Sequence, residues 1–400
     1  MVAVAAALVG LSALIDTIRG QGDSGCGGVM TLRIPRLFGL LAALLLLLDG
    51  CGDQTPVEVG FIGGLSGRVA DLGVSALDGA RLAIEEQNAK GGIHGHPIQL
   101  TAEDDRQDEE AAKAAFEALA ARHVEAIIGP MTSAMGTFLA PLANDSKTTL
   151  ISPTVTTRDL SGIDDYFLRV IADTRSYAEA SARFEYSQRA IKSFVILGDS
   201  TNRPYTDSWT RDFIAAFTAQ GGTIPATLPF KSGMIGDFGP LARQAVQTRA
   251  EGVLILANAA DAAQLCQQIR LADPQIPIVS SEWSATERFI ELGGTAVEGV
   301  FTSQFVDRES VQEPYAGFRR LFLDRFQQEP GFAGIAGYDA AAVLITALKQ
   351  RHSGESVRDA ILRIADFKGL QGSIHIDRFG DSWRPTYITV IRDGKYVRAN

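Results

Sequence analysis

Residues 127–157 read IIGPMTSAMGTFLAPLANDSKTTLISPTVTT, and the fold follows from how this stretch is divided. Two β-rich apolar runs, 124–129 and 147–152, flank a helical pattern, and each run ends in a small, hydroxyl-rich turn. Strand, helix and strand in that order predict a parallel α/β unit, in which neighbouring strands end at one edge and ligands bind outside it. Thr132 and Ser133 open the helix, whose first N–H groups favour an anion. Thr154 and Thr156 add hydroxyls from the next strand end, with Met131 and Val155 beside them. The paired turns predict a cradle for a small anion such as a carboxylate.

The same rhythm extends in both directions. Strands at 57–62 and 97–103 precede the quoted stretch, and a fifth follows at 166–170. The helix at 69–89 carries Leu72, Ala76, Ala80, Ala83 and Ile84 on one face and ends at Lys90-Gly91-Gly92. Asp108 is placed to cap the helix at 109–122. The alternation restarts with a strand at 191–198 and a helix at 205–220. It continues through 223–230, 238–249, 252–257, 260–271 and 276–280 to a strand at 299–305. Two successive runs predict an α/β protein with two doubly wound parallel-sheet lobes. Helices at 311–328, 335–351 and 356–365 then arrive without intervening strands and must pack on a sheet already made. Strands at 373–376 and 387–391 close the chain, the latter with an Asp393-Gly394 hairpin turn. The chain is therefore expected to cross between lobes more than once, through a hinge of several strands.

Four hundred residues with a net charge of −10 and a pI near 5.1 argue against nucleic acid as the partner, because phosphate binding needs a basic footprint. Arg33 and Arg36 precede a leucine-rich run at 37–48 that ends in Asp49-Gly50-Cys51. This resembles a bacterial lipoprotein signal, with Cys51 lipidated after cleavage, residues 1–50 as leader and Met30 as the expected start. Asp49 departs from the small residue usual there. The competing reading, a membrane-spanning anchor, is disfavoured because the run is short against a span of ~20 residues. Of the three cysteines only Cys266 falls in the folded body, on a helical pattern where a buried free thiol is expected.

Other motifs are weaker. Gly63, Gly64 and Gly67 lie between a strand and a helix, but their spacing is not that of a dinucleotide loop; a close backbone approach is expected. His94 and His96 flank Gly95 without a third ligand nearby and read as turn residues. Glu103, Asp104, Asp105 and Asp108 read as strand-end acids plus a helix cap rather than a cation site. There is no G-x-S-x-G elbow, P-loop or H-E-x-x-H, and no nucleophile–base pair. No catalytic residue, metal or cofactor is expected.

Taken in order, Gly64-Leu65-Ser66-Gly67, Asn88 to Ile93, Asp104-Asp105, Ile128-Gly129-Pro130, Ile151-Ser152-Pro153, Tyr338-Asp339-Ala340 and the turn from Asp377 to Gly380 resemble the type I periplasmic binding proteins of branched-chain amino-acid ABC transporters. The resemblance covers nearly the whole body. It implies one lobe from residues 56–170 plus 304–369, a second from 171–303 plus 370–400, and three hinge crossings. It also implies that Ser133, Thr154 and Thr156 grip a ligand carboxylate and ammonium from the first lobe while Glu282 reaches the ammonium from the second. Leu72, Tyr205, Asn258, Trp283 and Tyr338 then fall where the ligand side chain is read. Family members with aromatic residues at the Leu72 and Asn258 positions use them on the ligand, and this chain does not. The implied function is an extracytoplasmic, lipid-anchored, monomeric carrier that captures an amino acid or related small carboxylate by hinge closure and delivers it to ABC permease subunits. The alternative is a sensor module of the same fold signalling to a partner protein.

Overall fold

The computed structural model describes residues 55–399 apart from Met234 and Ile235, all within the unit Gln54–Asn400. The expected leader and Cys51 lie outside the described residues. The first sheet contains β1 (Val57–Gly63), β2 (Ile98–Asp104), β3 (Ile127–Ile128), β4 (Leu150–Ser152) and β5 (Phe167–Arg169), in the order β2-β1-β3-β4-β5. Every pairing is parallel. Phe61, Ile62, Ile127, Ile128, Leu150 and Ile151 are wholly buried, as strands covered on both faces must be, and this is why they read as unbroken apolar runs. β3 stops before Gly129, whose φ of 126° and whose Cβ position, 2.1 Å from the Ile62 carbonyl oxygen, admit only glycine. The helices α1 (Ala70–Ala89), α2 (Glu109–Ala121) and α3 (Ser133–Ser146) connect these strands. Asp108 accepts the Ala111 N–H at 3.0 Å and caps α2 as expected.

After α4 (Thr174–Ser187) a second sheet begins with β6 (Ser193–Asp199), β7 (Thr223–Phe230), β8 (Gly252–Leu256), β9 (Ile278–Ser280) and β10 (Phe301–Gln304). Its parallel part runs β7-β6-β8-β9-β10, the same order as the first sheet, which makes two doubly wound units. The helices α5 (Arg203–Thr218), α6 (Gly239–Gln247), α7 (Ala259–Ala272) and α8 (Glu287–Gly293) belong to this half. Cys266 on α7 is fully buried and unpaired, and burial pushes its thiol up to about 12. Then come α9 (Tyr315–Phe326), α10 (Gly331–Gln350) and α11 (Val357–Ile364). α10 packs along α1 and on β3 and β4 of the first sheet, as helices lacking strands of their own were expected to do. The two helices nearly touch backbones: a Cβ on Gly337 would stand 2.0 Å from the Ala76 carbonyl oxygen. α10 is apolar and long enough to cross a membrane, but 83% of its apolar window is buried, and helix packing accounts for its composition.

The sequence reading lacks α4, α8 and the short strands at Asp366–Gly369 and Ser382–Trp383, and it misplaces one strand. α4 is missed because its buried face is built from Tyr177, Ala178, Ser181, Ala182 and Glu185, too small and polar to give a helical hydrophobic stripe. The strand expected at 373–376 is present as β12 (Gly372–Ile376), but it does not join the second sheet. It pairs with β11 (Asp366–Gly369) and β13 (Ser382–Trp383) in a small antiparallel sheet. The reason lies just beyond β12: the Gly380 carbonyl accepts the Arg169 N–H at 3.0 Å, and Asp381 accepts Arg169 Nε at 2.9 Å, which holds this segment against β5. Only β14 (Tyr387–Arg392) returns, adding to β10 antiparallel and turning through Asp393-Gly394 into β15 (Lys395–Arg398). Both turn residues have positive φ, 50° and 66°, as a two-residue hairpin requires.

The chain passes between the two halves after β5, after β10 and before β14. Asp339 on α10 gathers two of these passages. Its carboxylate accepts the Leu370 N–H at 2.9 Å and Arg384 Nη1 at 2.8 Å, and the Arg384 guanidinium lies 4.6 Å from the Phe305 ring centre.

Candidate functional site

The ends of β3 and β4 meet, as the paired hydroxyl turns predict, and the residues after β6 and β9 face them from the second half. Leu72, Met131, Thr132, Ser133, Thr154 and Ile171 form one side of the space between them; Asn202, Tyr205, Glu282 and Trp283 form the other, and Phe332 completes the wall. The lobes are closed on it. Only about 20 Å3 is accessible to the centre of a water-sized molecule, enough for about one water and too little for an amino acid. Larger cavities, of about 400 and 460 Å3, open around Glu287, Glu329, Pro330 and Gly331. Both are lined by charged side chains such as Glu287 and Glu329, but neither contains the turns that follow β3 and β4, which meet only at the narrow space.

On the first-lobe wall the hydroxyls are engaged. Thr132 Oγ1 donates to Gln107 Oε1 at 2.7 Å, Thr154 Oγ1 donates to the Met131 carbonyl at 2.5 Å, and Ser133 Oγ accepts the Thr157 N–H at 3.2 Å. Neither Thr132 nor Ser133 caps its own helix. Instead the Ala134 N–H in the first turn of α3 donates to the side-chain oxygen of Asn202, 2.9 Å away and supplied by the second lobe. That amide oxygen stands where an anionic oxygen is favoured at a helix N-terminus.

On the facing wall, Glu282 is 4% exposed. Trp209 Nε1 donates to its Oε2 at 2.9 Å, while Oε1 has no hydrogen-bond partner. Thr156 Oγ1 and Tyr205 Oη are also buried without a formed hydrogen bond, yet both lie close enough to favour the ionised Glu282 carboxylate. Burial is the stronger influence and pushes its carboxyl up to about 7, against the stabilising pull of Trp209, Tyr205 and Thr156. Tyr205 meets the Trp283 ring edge-on at 5.3 Å. A buried carboxylate with one unpaired oxygen suits a cation, and the opposite helix N-terminus suits an anion, so the geometry can hold both ends of a zwitterion between apolar walls.

Ser133, Thr154, Met131, Glu282, Trp283, Tyr205 and Leu72 thus line one space, with Thr156 behind Glu282. Val155 does not line it; it is fully buried and packs against Gly136 and the core. Asn258 lines a neighbouring compartment with Arg68 and Ser232. Tyr338 is not brought to the cleft: its hydroxyl donates to Glu86 at 3.1 Å and its ring packs on Phe318. Four residues escaped the sequence reading: Ile171, Asn202, Trp209 and Phe332. Trp209 had a signal, since it follows Tyr205 by four residues on a helix and so shares its face. Ile171 and Phe332 sit in apolar segments that nothing local distinguishes from core.

A periplasmic binding protein family profile matches residues 56–395. A Leu/Ile/Val-binding protein of Rhizobium johnstonii is 22% identical over 328 residues, 82% of this chain and 88% of the relative. A leucine-binding protein from Thermotoga maritima superimposes with a TM-score of 0.79 at 24% identity, over 86% of this chain and 98% of that one. A solute-binding protein from R. palustris in complex with benzoate also reaches 0.79, at 16% identity, over 86% and 96% of the two chains.

Proposed function

The chain belongs to the periplasmic binding protein family, a family of solute binders and not of enzymes, and on that premise we propose that it captures an amino acid or related small carboxylate between its lobes and presents it to ABC permease subunits. The observation that carries this reading is Glu282, a buried carboxylate with an unpaired oxygen, facing the N-terminus of α3 across a closed cleft. Ligand enters when the lobes part, displaces Asn202 from the Ala134 N–H with its own carboxylate, and offers its ammonium to Glu282 Oε1. Closing again buries both charges, and the closed form is the one a permease recognises. We further propose an extracytoplasmic location with a lipid on Cys51, the two lobes dividing near the passages after β5, after β10 and before β14.

An aromatic acid such as benzoate lacks the ammonium and leaves Glu282 unpaired, so the buried carboxylate argues for a zwitterion over a simple carboxylate. Isothermal titration of the full-length chain with α-amino acids and their deaminated analogues tests this. Amino acids are expected to bind and the analogues to bind more weakly by at least about tenfold. Equal affinity for the two sets, or heat from benzoate alone, sinks the zwitterion reading.

A further inference from the structure

Beside the narrow space lies a second compartment, of about 240 Å3, sharing Asn202 and Trp283 as its partition. Its walls include Arg68 and Arg106 from the first lobe and Asp199, Ser232 and Asn258 from the second. Arg68 Nη1 reaches Asp261 across the cleft at 2.6 Å. We propose that the amino acid captured here has a side chain ending in a carboxylate, which passes the partition and is received in this compartment by Arg68 and Arg106.

The argument is a balance of donors and acceptors, and it rests on the amino-acid reading above. Three acids around the compartment, Asp261, Asp199 and Asp104, are engaged on both oxygens, while Asp105, fully buried beside Arg106, gives one oxygen to Gln107 and leaves the other unpaired. Asp261 accepts Arg68 on one and Asn258 Nδ2, at 2.8 Å, together with Ser232 Oγ on the other. Asp199 accepts the Thr201 and Ser232 N–H groups, both at 3.0 Å, and Thr201 Oγ1 at 2.8 Å. Asp104, beside Arg106, accepts the Leu65 and Arg106 N–H groups and Ser66 Oγ. The arginines are not so occupied. Arg68 spends only Nη1 on Asp261, and the exposed Arg106 guanidinium makes no hydrogen bond or ion pair among the described residues. Spare guanidinium donors in a walled space, with Asp261, Asp199 and Asp104 satisfied on both oxygens, select for an anionic acceptor, and the planar guanidinium suits a carboxylate.

The test is isothermal titration of the full-length chain with L-glutamate, L-glutamine and L-leucine at low and high salt, repeated on Arg106→Gln. Arg106 is exposed and unpaired, so this change leaves the fold intact. Glutamate is expected to bind about tenfold or more tighter than glutamine and leucine, with an advantage that shrinks in high salt. Arg106→Gln is expected to remove most of that advantage while leaving glutamine affinity within about twofold. Leucine or glutamine binding as tightly as glutamate overturns the proposal and leaves the amino-acid reading standing. Glutamate binding that Arg106→Gln does not touch also overturns it. No binding by any of the three, together with binding of benzoate, overturns both.

Discussion

At neutral pH the Glu282 carboxyl stands near half-ionised, since burial lifts it to about 7 from the ordinary 4.5. The consequence for the empty protein has a definite sign. The native state holds this proton more tightly than the unfolded chain, so the contribution to stability is fully present below pH about 4.5 and is lost as pH rises through about 7. The loss is at most about 3 kcal/mol. Glu282→Gln keeps an acceptor for Trp209 and removes the titration; its melting temperature is expected to exceed that of the parent at pH 8 and to match it at pH 5, by calorimetric scans. Binding runs the other way. An ammonium ligand prefers the ionised carboxylate, so affinity should rise from pH 5 to 8, and Glu282→Gln should cost about 2 kcal/mol, about a 30-fold increase in Kd by titration. A flat pH profile for binding would show that the ligand does not meet this carboxylate.

At the scale of elements, α1 and α10 cross so closely that Gly337 leaves no room for a methyl group against the Ala76 carbonyl. Gly337→Ala should therefore destabilise by about 1–3 kcal/mol despite its better helix propensity, lowering the urea midpoint with an unchanged slope. The Asp339–Arg384 pair is buried on both sides, at 0% and 1% side-chain exposure. Asp339→Ala strands a buried guanidinium and loosens Leu370, with an expected cost of about 3–5 kcal/mol. The double change Asp339→Leu with Arg384→Met should recover most of it in the same urea measurement. If the double variant is no better than the single one, the cost lies in the Leu370 hydrogen bond rather than in the stranded charge.

Across the whole molecule, the lobes are joined by direct bonds. Thr286 Oγ1 donates to Asp71 at 2.5 Å, Arg158 pairs with Asp212 at 2.9 Å, and Thr157 Oγ1 donates to the Pro204 carbonyl at 2.8 Å. On the proposed capture by closure, these bonds break and re-form in each cycle, because a cleft of about 20 Å3 admits no ligand. Small-angle scattering should show an empty population more expanded than the saturated one. Thr286→Val removes one closing bond and should lower the closed fraction, weakening apparent affinity by about 1 kcal/mol, roughly fivefold, with little change in melting temperature. A large fall in melting temperature instead would place Thr286 among the residues that hold the fold rather than the closure.

The sequence by itself carried the two-lobed α/β architecture, because strands buried on both faces must be continuous apolar runs and crossover helices must alternate with them. It also carried the meeting of the turns that hold Ser133 and Thr154, because β3 and β4 are adjacent parallel strands that end at one edge. It did not carry α4, whose buried face is polar and small, nor the placing of β12, which the long-range bond from Arg169 to Gly380 decides. Trp209 on Glu282, Asn202 on the α3 N-terminus and the removal of Tyr338 to Phe318 and Glu86 are likewise matters of which distant segments meet. A strand's identity is written in its own few residues, whereas the state of a buried carboxylate depends on everything packed around it. That is why the hydroxyl turns could be found in order along the chain, and why the raised carboxyl of Glu282 follows only from the distant segments of Trp209, Tyr205 and Thr156 packed around it.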